Sequence, residues 1–412
     1  MPKPSLAHIE EIEERPATCA LRLQNGMLDD ANAGVAVATR KRRRRVPVAV
    51  GSAEDYEETC LLGEGGFGTV VKARHRATGL TVAIKRLTPP DADSQTAAAS
   101  ISRLAGAGSC GLEEELLREA WFHEACGGSG HPFIVGFRGL VRDPAAAAAD
   151  LGLVMECVDG PSLHDYLRQR RRRRHGGARI PEATARAAMW QLLTAAKTMH
   201  ESGVVHRDIK PGNILVGDGR RVLKICDFGL AMATSEAPSH GPAGTLWYKA
   251  PEVLLDMRDY DARVDAWSLG CVMAEIIYGR ALFAGSYERE QLVAIFDVLG
   301  VPDGGAWPEF ASTAFAAEAV TELDVRRGSR LRELFPAAML SREGFQVLHG
   351  LLTCNPHKRL TADAALKLPW FAKVEALQLP SEDDVASAFA NKELHIVPSA
   401  SEKRKLRDLR VF

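Results

Sequence analysis

The 412-residue chain carries almost no net charge: 52 Lys and Arg stand against 53 Asp and Glu. No global field therefore draws it to nucleic acid or to a membrane, and any such signal must come from local runs. Its eight cysteines, scattered from Cys19 to Cys354, form no C-x-x-C pair and no His/Cys cluster. That excludes a recognisable zinc site or disulfide framework and fits a reducing compartment. The N-terminus has Glu10, Glu11, Glu13 and Glu14 where a signal peptide would have an apolar core, and no apolar run is long enough to span a bilayer. These absences read as a soluble intracellular protein. The 46% apolar content is ordinary for a globular chain, and the length allows two or three domains or lobes.

Residues 1–55 read as a mobile arm. Its run Arg40–Arg45, R-K-R-R-R-R, has three readings: a nuclear import signal, a contact to acidic partners, or a solvated tail in a cytoplasmic protein. From Tyr56 strand patterns begin: one run to Leu62, then Thr69–His75, a turn at Thr78-Gly79, and Thr81–Lys85. Between the first two lies G-E-G-G-F-G. Gly63, Gly65 and Gly68 followed by Val70 match G-x-G-x-x-G-x-V, in which glycine lets backbone amides close over phosphates. Because Thr69 and Val70 continue as a strand rather than opening a helix, a Rossmann-type turn is disfavoured. Leu62, Gly63, Glu64, Gly65, Gly66, Phe67, Gly68, Thr69 and Val70 are the candidate cover of a nucleotide. In V-A-I-K, strand alternation puts Ala83 and Lys85 on one face, Ala83 flooring an adenine site beside Lys85.

Residues 88–111 read as a flexible insertion. Helical spacing resumes at Leu112 and places Glu119 on the inward stripe with Leu116 and Phe122 or His123, where an acid wants a cation, Lys85 being the natural one. Glu115 or Glu124 serves instead if the helix is rotated. Strands follow over 133–140 and 151–157, separated by an alanine-rich loop. The second ends at Met155, Glu156, Cys157 and Val158, a hinge whose backbone groups would read an adenine edge. Cys157 there is a small apolar residue rather than a reactive thiol. The run Arg170–Arg174 reads as a solvated, self-repelling loop, without the interleaved aromatics that nucleic-acid stacking would use.

The stretch His206–Asn213 reads H-R-D-I-K-P-G-N, and D-F-G follows at Asp227–Gly229. Moving a γ-phosphoryl group to a hydroxyl needs a carboxylate to orient the hydroxyl and take its proton, with cations where charge accumulates. Asp208 suits the first task and Lys210 supplies fixed positive charge. Asn213 and Asp227 offer the hard oxygens that magnesium prefers. An activation segment then runs to A-P-E at Ala250–Glu252. Residues 264–278 are apolar on nearly all sides, as a buried helix must be, with Asp265 at its start a candidate cap that also bonds the catalytic loop. Arg359 is a candidate partner for Glu252.

With these motifs in hand, residues 56–372 resemble the eukaryotic protein kinases of the cyclin-dependent group, most closely the plant F-type cyclin-dependent-kinase-like proteins. T-L-W-Y-K-A-P-E at Thr245–Glu252 and the stretch Gln291–Pro308 carry the group resemblance. It implies an α+β bilobal fold: an N-lobe (56–158) of small antiparallel sheet with one helix and a mainly helical C-lobe (159–372); beyond it the polar, basic residues 373–412 read as a poorly ordered tail. The resemblance also implies ATP and magnesium as cofactors, serine/threonine acceptors, and Thr245 bonded to Asp208 and Lys210. Expected partners are protein substrates, other kinases among them, with cyclin in doubt; no nucleic acid or membrane is expected, and the chain reads as a monomer.

Four departures from the group's pattern bear on regulation. Glu113–Glu119, E-E-E-L-L-R-E, replaces a neutral cyclin-facing turn. His240 stands where the activating phosphothreonine is expected. Of the three arginines that would hold that phosphate, Arg118 and Arg207 remain and the third is Met232. Lys249 follows Trp247-Tyr248 in place of arginine, with Gly244 before Thr245, which leaves a preference for proline after the acceptor open. Activation through Ser235 or Ser239, or without phosphorylation, follows from the second and third. The rival readings are a pseudokinase scaffold that binds partners without phosphoryl transfer, and a true cyclin-dependent enzyme.

Overall fold

In the computed structural model residues 50–65, 68–87, 109–127, 130–143, 151–172, 180–236, 244–257, 259–316 and 328–379 are described. Gly66, Phe67, the Arg40–Arg45 run, Arg173, Arg174, Ser239, His240 and most of the expected insertion and tail lie outside the described residues.

Six strands form one sheet in the order β1-β5-β6-β4-β3-β2: β1 (Val50–Ser52), β2 (Tyr56–Gly65), β3 (Gly68–His75), β4 (Thr81–Arg86), β5 (Phe137–Arg142) and β6 (Leu151–Glu156). Alternation along β4 sorts its side chains as the pattern predicts. Val82 and Ile84 pack with Ala73, Val141 and Val154 on one face. Ala83 lies opposite Met155 and Lys85 opposite Leu153, on the face covered by helix α1 (Ser109–Ala125) through Leu116 and Ala120. The sheet is not purely antiparallel as expected. β1 joins the edge parallel to β5, Val50 opposite Leu140, because β5 would otherwise present a row of unpaired backbone groups. The strand expected over 133–140 begins only at Phe137; Ile134 makes an isolated bridge to Ile225 instead.

The larger lobe is built on α2 (Leu163–Arg172) and α3 (Glu182–Glu201), followed by the hairpin β8 (Ile214–Gly217) and β9 (Val222–Ile225) and the short pair β7 (Val204–Val205) and β10 (Met232–Ala233). Beyond these come α4 (Pro251–Leu254), α5 (Arg263–Tyr278), α6 (Glu288–Leu299), α7 (Pro308–Ala311), α8 (Leu331–Leu334), α9 (Arg342–Leu351) and α10 (Ala362–Leu366). Every residue of α5 from Val264 to Ile277 is buried, as its all-round apolar sequence requires. Two expectations fail here. Arg170, Arg171 and Arg172 are the last turn of α2 rather than a loop; cations are favoured at a helix C-terminus, and Arg170 also lies over the Tyr166 ring. The chain past residue 372 stays packed to Leu379, where Leu377 and Leu379 are buried and the Leu379 amide donates to the Arg220 carbonyl at 3.0 Å. Among the described residues no helix is long and apolar enough to cross a membrane.

Candidate active site

The glycine loop is a hairpin whose register closes with Gly65 opposite Gly68. Gly68 has φ +126°, and a Cβ there would lie 2.0 Å from the Arg86 carbonyl oxygen, so only glycine lets β3 lie this close to β4. Leu62, Gly63 and Glu64 are exposed on β2, and Thr69 and Val70 are half-buried at the start of β3, Val70 beside Lys85.

Lys85 is buried at 6% exposure, yet its Nζ meets both Glu119 oxygens at 2.9 Å and Asp227 Oδ1 at 2.7 Å. Burial alone would lower its pKa, but the two carboxylates outweigh that and raise it, so the ammonium is charged. The same contact acts on Asp227: burial works to raise its carboxyl, and Lys85 overrides this to hold it down at about 2. Glu119 is buried on α1 while Glu115 and Glu124 are exposed, which resolves the helix rotation that spacing left open. Ala83 and Met155 are buried beside each other. The Glu156 side chain turns to the Gly136 amide and Lys224, both at 3.0 Å, and its own amide donates to the Gly136 carbonyl. Cys157 and Val158 are half-buried where the chain leaves β6, and burial raises the Cys157 thiol.

Asp208 is the second centre. Its Oδ1 accepts from both the amide and hydroxyl of Thr245 at 2.8 Å, while Oδ2 accepts from Asn213 Nδ2 at 2.9 Å and lies 2.8 Å from Lys210 Nζ. Lys210 Nζ also donates to Thr245 Oγ1 at 2.7 Å. The loop that carries Asp208 is held from below by buried Asp265, whose oxygens accept from the amides of His206 and Arg207 and bond His200 Nε2, each at 2.9 Å. Asp265 does not cap α5; Ala262 takes that position. Arg207, at φ 67°, donates from Nε to the Leu230 carbonyl at 2.6 Å.

The match to known proteins follows this geometry. Residues 56–371 match the model of the protein kinase domain. The chain belongs to that family. Among its relatives is a rice (Oryza sativa subsp. japonica) protein provisionally named cyclin-dependent kinase F-2, 45% identical over 78% of this chain and 91% of its own length. The Trypanosoma brucei brucei cell division control protein 2 homolog 3 is 35% identical over 77% of this chain and 92% of its own. Rice cyclin-dependent kinase G-2 is 33% identical over 82% of this chain but only 44% of its own length. The protein is a cyclin-dependent-kinase-like serine/threonine protein kinase, which binds ATP and acts on protein substrates; the scaffold reading without transfer has no support.

In this kinase Arg359 does pair with Glu252, as a buried fork at 2.6 and 2.7 Å. Met232, in place of an arginine, is buried in β10 opposite Val205. Two residues carried no sequence signal of their role. His123, one turn beyond Glu119, packs on Phe228 of D-F-G, and Glu236 reaches Arg118; the spacing of His123 marks it only as inward-facing, and Glu236 falls in no motif.

Proposed function

We propose that the kinase transfers the γ-phosphoryl group of ATP to a protein hydroxyl with Asp208 as the base, Lys210 as electrostatic support, and Lys85 fixed by Glu119 on the α- and β-phosphates. The single observation behind this is that Lys85, Glu119 and Asp227 are joined in one contact network while Asp208, Lys210, Asn213 and Thr245 form another. The acceptor oxygen bonds to the γ-phosphorus as the bond to the β-phosphate oxygen breaks, and the hydroxyl proton passes to Asp208. Thr245 and Asn213 keep the carboxylate aimed.

The donor set fits magnesium. Asp227 uses Oδ1 for Lys85 and has a second oxygen, and Asn213 spends its amide nitrogen on Asp208, which turns a carbonyl oxygen outward; such hard oxygens, completed by phosphate and water, suit Mg2+. ATP would lie under residues 62–70, its base between Ala83, Met155 and the backbone of Glu156 to Val158. The Glu156 amide is spent within the protein, so Glu156 contributes its carbonyl. The lobes meet near residue 158, and the Arg40–Arg45 run is a candidate import signal.

Glu119 reaches Lys85 within the single chain, which supports transfer without cyclin. Gly244 keeps φ +86° against the Arg207 carbonyl without the usual arginine, and Lys249 lies 3.7 Å from Glu288, which supports a preference for proline after the acceptor. Other kinases are among the candidate substrates. Phosphoryl transfer by the purified chain with ATP and Mg2+ tests all of this, against Asp208→Asn and on matched peptides with and without that proline. Transfer that survives in Asp208→Asn would refute the assignment, and an equal rate on both peptides would refute the proline reading.

A further inference from the structure

Helix α1 is gripped at two successive residues by two points of one segment. Glu119 faces inward to Lys85, which also holds Asp227. Its neighbour Arg118 is half exposed, and its Nη2 meets Glu236 Oε2 at 2.5 Å. The Arg118 guanidinium also lies over the Phe122 ring of its own helix, 5.3 Å from the centroid, which limits its rotamers.

Glu236 is itself anchored. Its Oε2 accepts from the Ala233 amide at 3.3 Å, and Ala233 is paired with Val204 in the β7–β10 ladder. The contacts therefore run in a closed circuit: the ladder, Glu236, Arg118, Glu119, Lys85, Asp227, and back along the chain to β10. The anion that meets Arg118 is a carboxylate already present in the unmodified chain. The other arginine that would gather around an added phosphate, Arg207, instead bonds the Leu230 carbonyl and the Tyr260 hydroxyl, and Met232 is buried apolar packing.

We propose that Glu236 is a positioning residue for phosphoryl transfer: by holding Arg118 it keeps α1 turned so that Glu119 stays on Lys85, without phosphorylation of the activation segment. This rests on the assignment of Lys85 and Glu119 above. Both partners are about half exposed, at 49% and 45%, so the pair is weak and screened by salt. Its loss lowers the catalytically ready population by about two- to fivefold rather than abolishing it.

The test uses the full chain, treated with phosphatase and checked by intact mass, beside Glu236→Gln, Arg118→Gln, the double variant, and the charge swap of Glu236→Arg with Arg118→Glu. Phosphoryl transfer and hydrogen exchange of the α1 amides are read at low salt and at about 1 M salt, where the screening length is about 3 Å. Each single variant is expected to lose about two- to fivefold in kcat/KM at low salt and to speed α1 exchange, with an unchanged thermal midpoint. The double variant should lose no more than either single, the swap should recover most of the loss, and high salt should bring the unaltered protein to the level of the variants. A Glu236→Gln protein equal to the parent in transfer and α1 exchange overturns the proposal, as does a double variant whose loss is the product of the two singles. Should the parent itself transfer no phosphate, the functional assignment falls, and α1 exchange across the same proteins still decides whether Glu236 positions the helix.

Discussion

His123→Leu should make this kinase more stable, and increasingly so as pH falls. The imidazole is fully buried, and neither ring nitrogen has a hydrogen-bond partner. The Val135 backbone acts on the ring as an acceptor, without completing a hydrogen bond of good geometry. Leaving a buried polar group unpaired costs about 1–3 kcal/mol. Against that stands the ring contact with Phe228, centroids 4.5 Å apart, worth about 0.5–1.5 kcal/mol. Leucine is close to histidine in volume, so the net gain near neutral pH is about 1 kcal/mol. Burial, and then the positive charge of Lys85, push the folded-state pKa of His123 down to about 3, while the unfolded chain protonates at about 6.5.

The unfolded state thus binds a proton across that window and the folded state does not. Stability present above about pH 6.5 is lost as pH falls, by about 1.4 kcal/mol per unit until about pH 3. Lys85, Asp227 and His206, which act on the ring, are common to both proteins, so the difference between parent and variant isolates His123. Urea unfolding followed by tryptophan fluorescence at about pH 7.5 and about pH 5.5 should show the advantage of the variant growing from about 1 to about 2 kcal/mol. A variant less stable than the parent at the higher pH, or a gap that does not widen at the lower, would refute the reasoning.

Other perturbations reach the neighbouring parts. Gly244→Ala places a Cβ 2.5 Å from the Arg207 carbonyl at φ +86°; strain of about 1–3 kcal/mol should appear as a drop of at least about fivefold in kcat/KM, and a fully active variant would show that the turn relaxes freely. Arg359→Lys removes the planar fork from a pair whose side chains are 0% and 2% exposed, so urea unfolding should report a loss of about 3 kcal/mol; a loss below about 1 would contradict that. Asp265→Asn puts an NH2 in place of one carboxylate oxygen, against either the His206 amide at Oδ2 or the Arg207 amide at Oδ1. It should cost about 2 kcal/mol or more and slow transfer with little change in KM for ATP; a selective rise in that KM would point to a different role.

What could be read in advance depended on the range of the interaction. The residue order alone placed Asp208, Lys210 and Asn213 together, because H-R-D-I-K-P-G-N holds all three within one short loop; that Asp227 of D-F-G bonds Lys85 was set by the fold. Residue order determined the Ala83/Lys85 face, since alternation is a property of any strand, and the inward stripe of α1, since 3.6 residues per turn is a property of any helix. It also pointed to the Glu252–Arg359 pair, though only through the resemblance to a family. Local chemistry did not extend to the end of α2, where a helix terminus and the Tyr166 ring accommodate Arg170 to Arg172, or to the parallel edge strand at Val50, which depends on an open backbone row elsewhere in the chain.

Tertiary structure closed the choice among the acids of α1: spacing put Glu119 on the inward stripe, and the packing of Leu116 and Ala120 on the sheet fixes the rotation that excludes Glu115 and Glu124. Tertiary structure alone decided the contacts of His123 with Phe228 and of Arg118 with Glu236. Those contacts join residues more than a hundred positions apart, through side chains whose local sequence fits a solvent-facing acid or an inward histidine equally well. Folding brings them together, and the free energy that holds them depends on burial and neighbouring charge, which no linear pattern encodes.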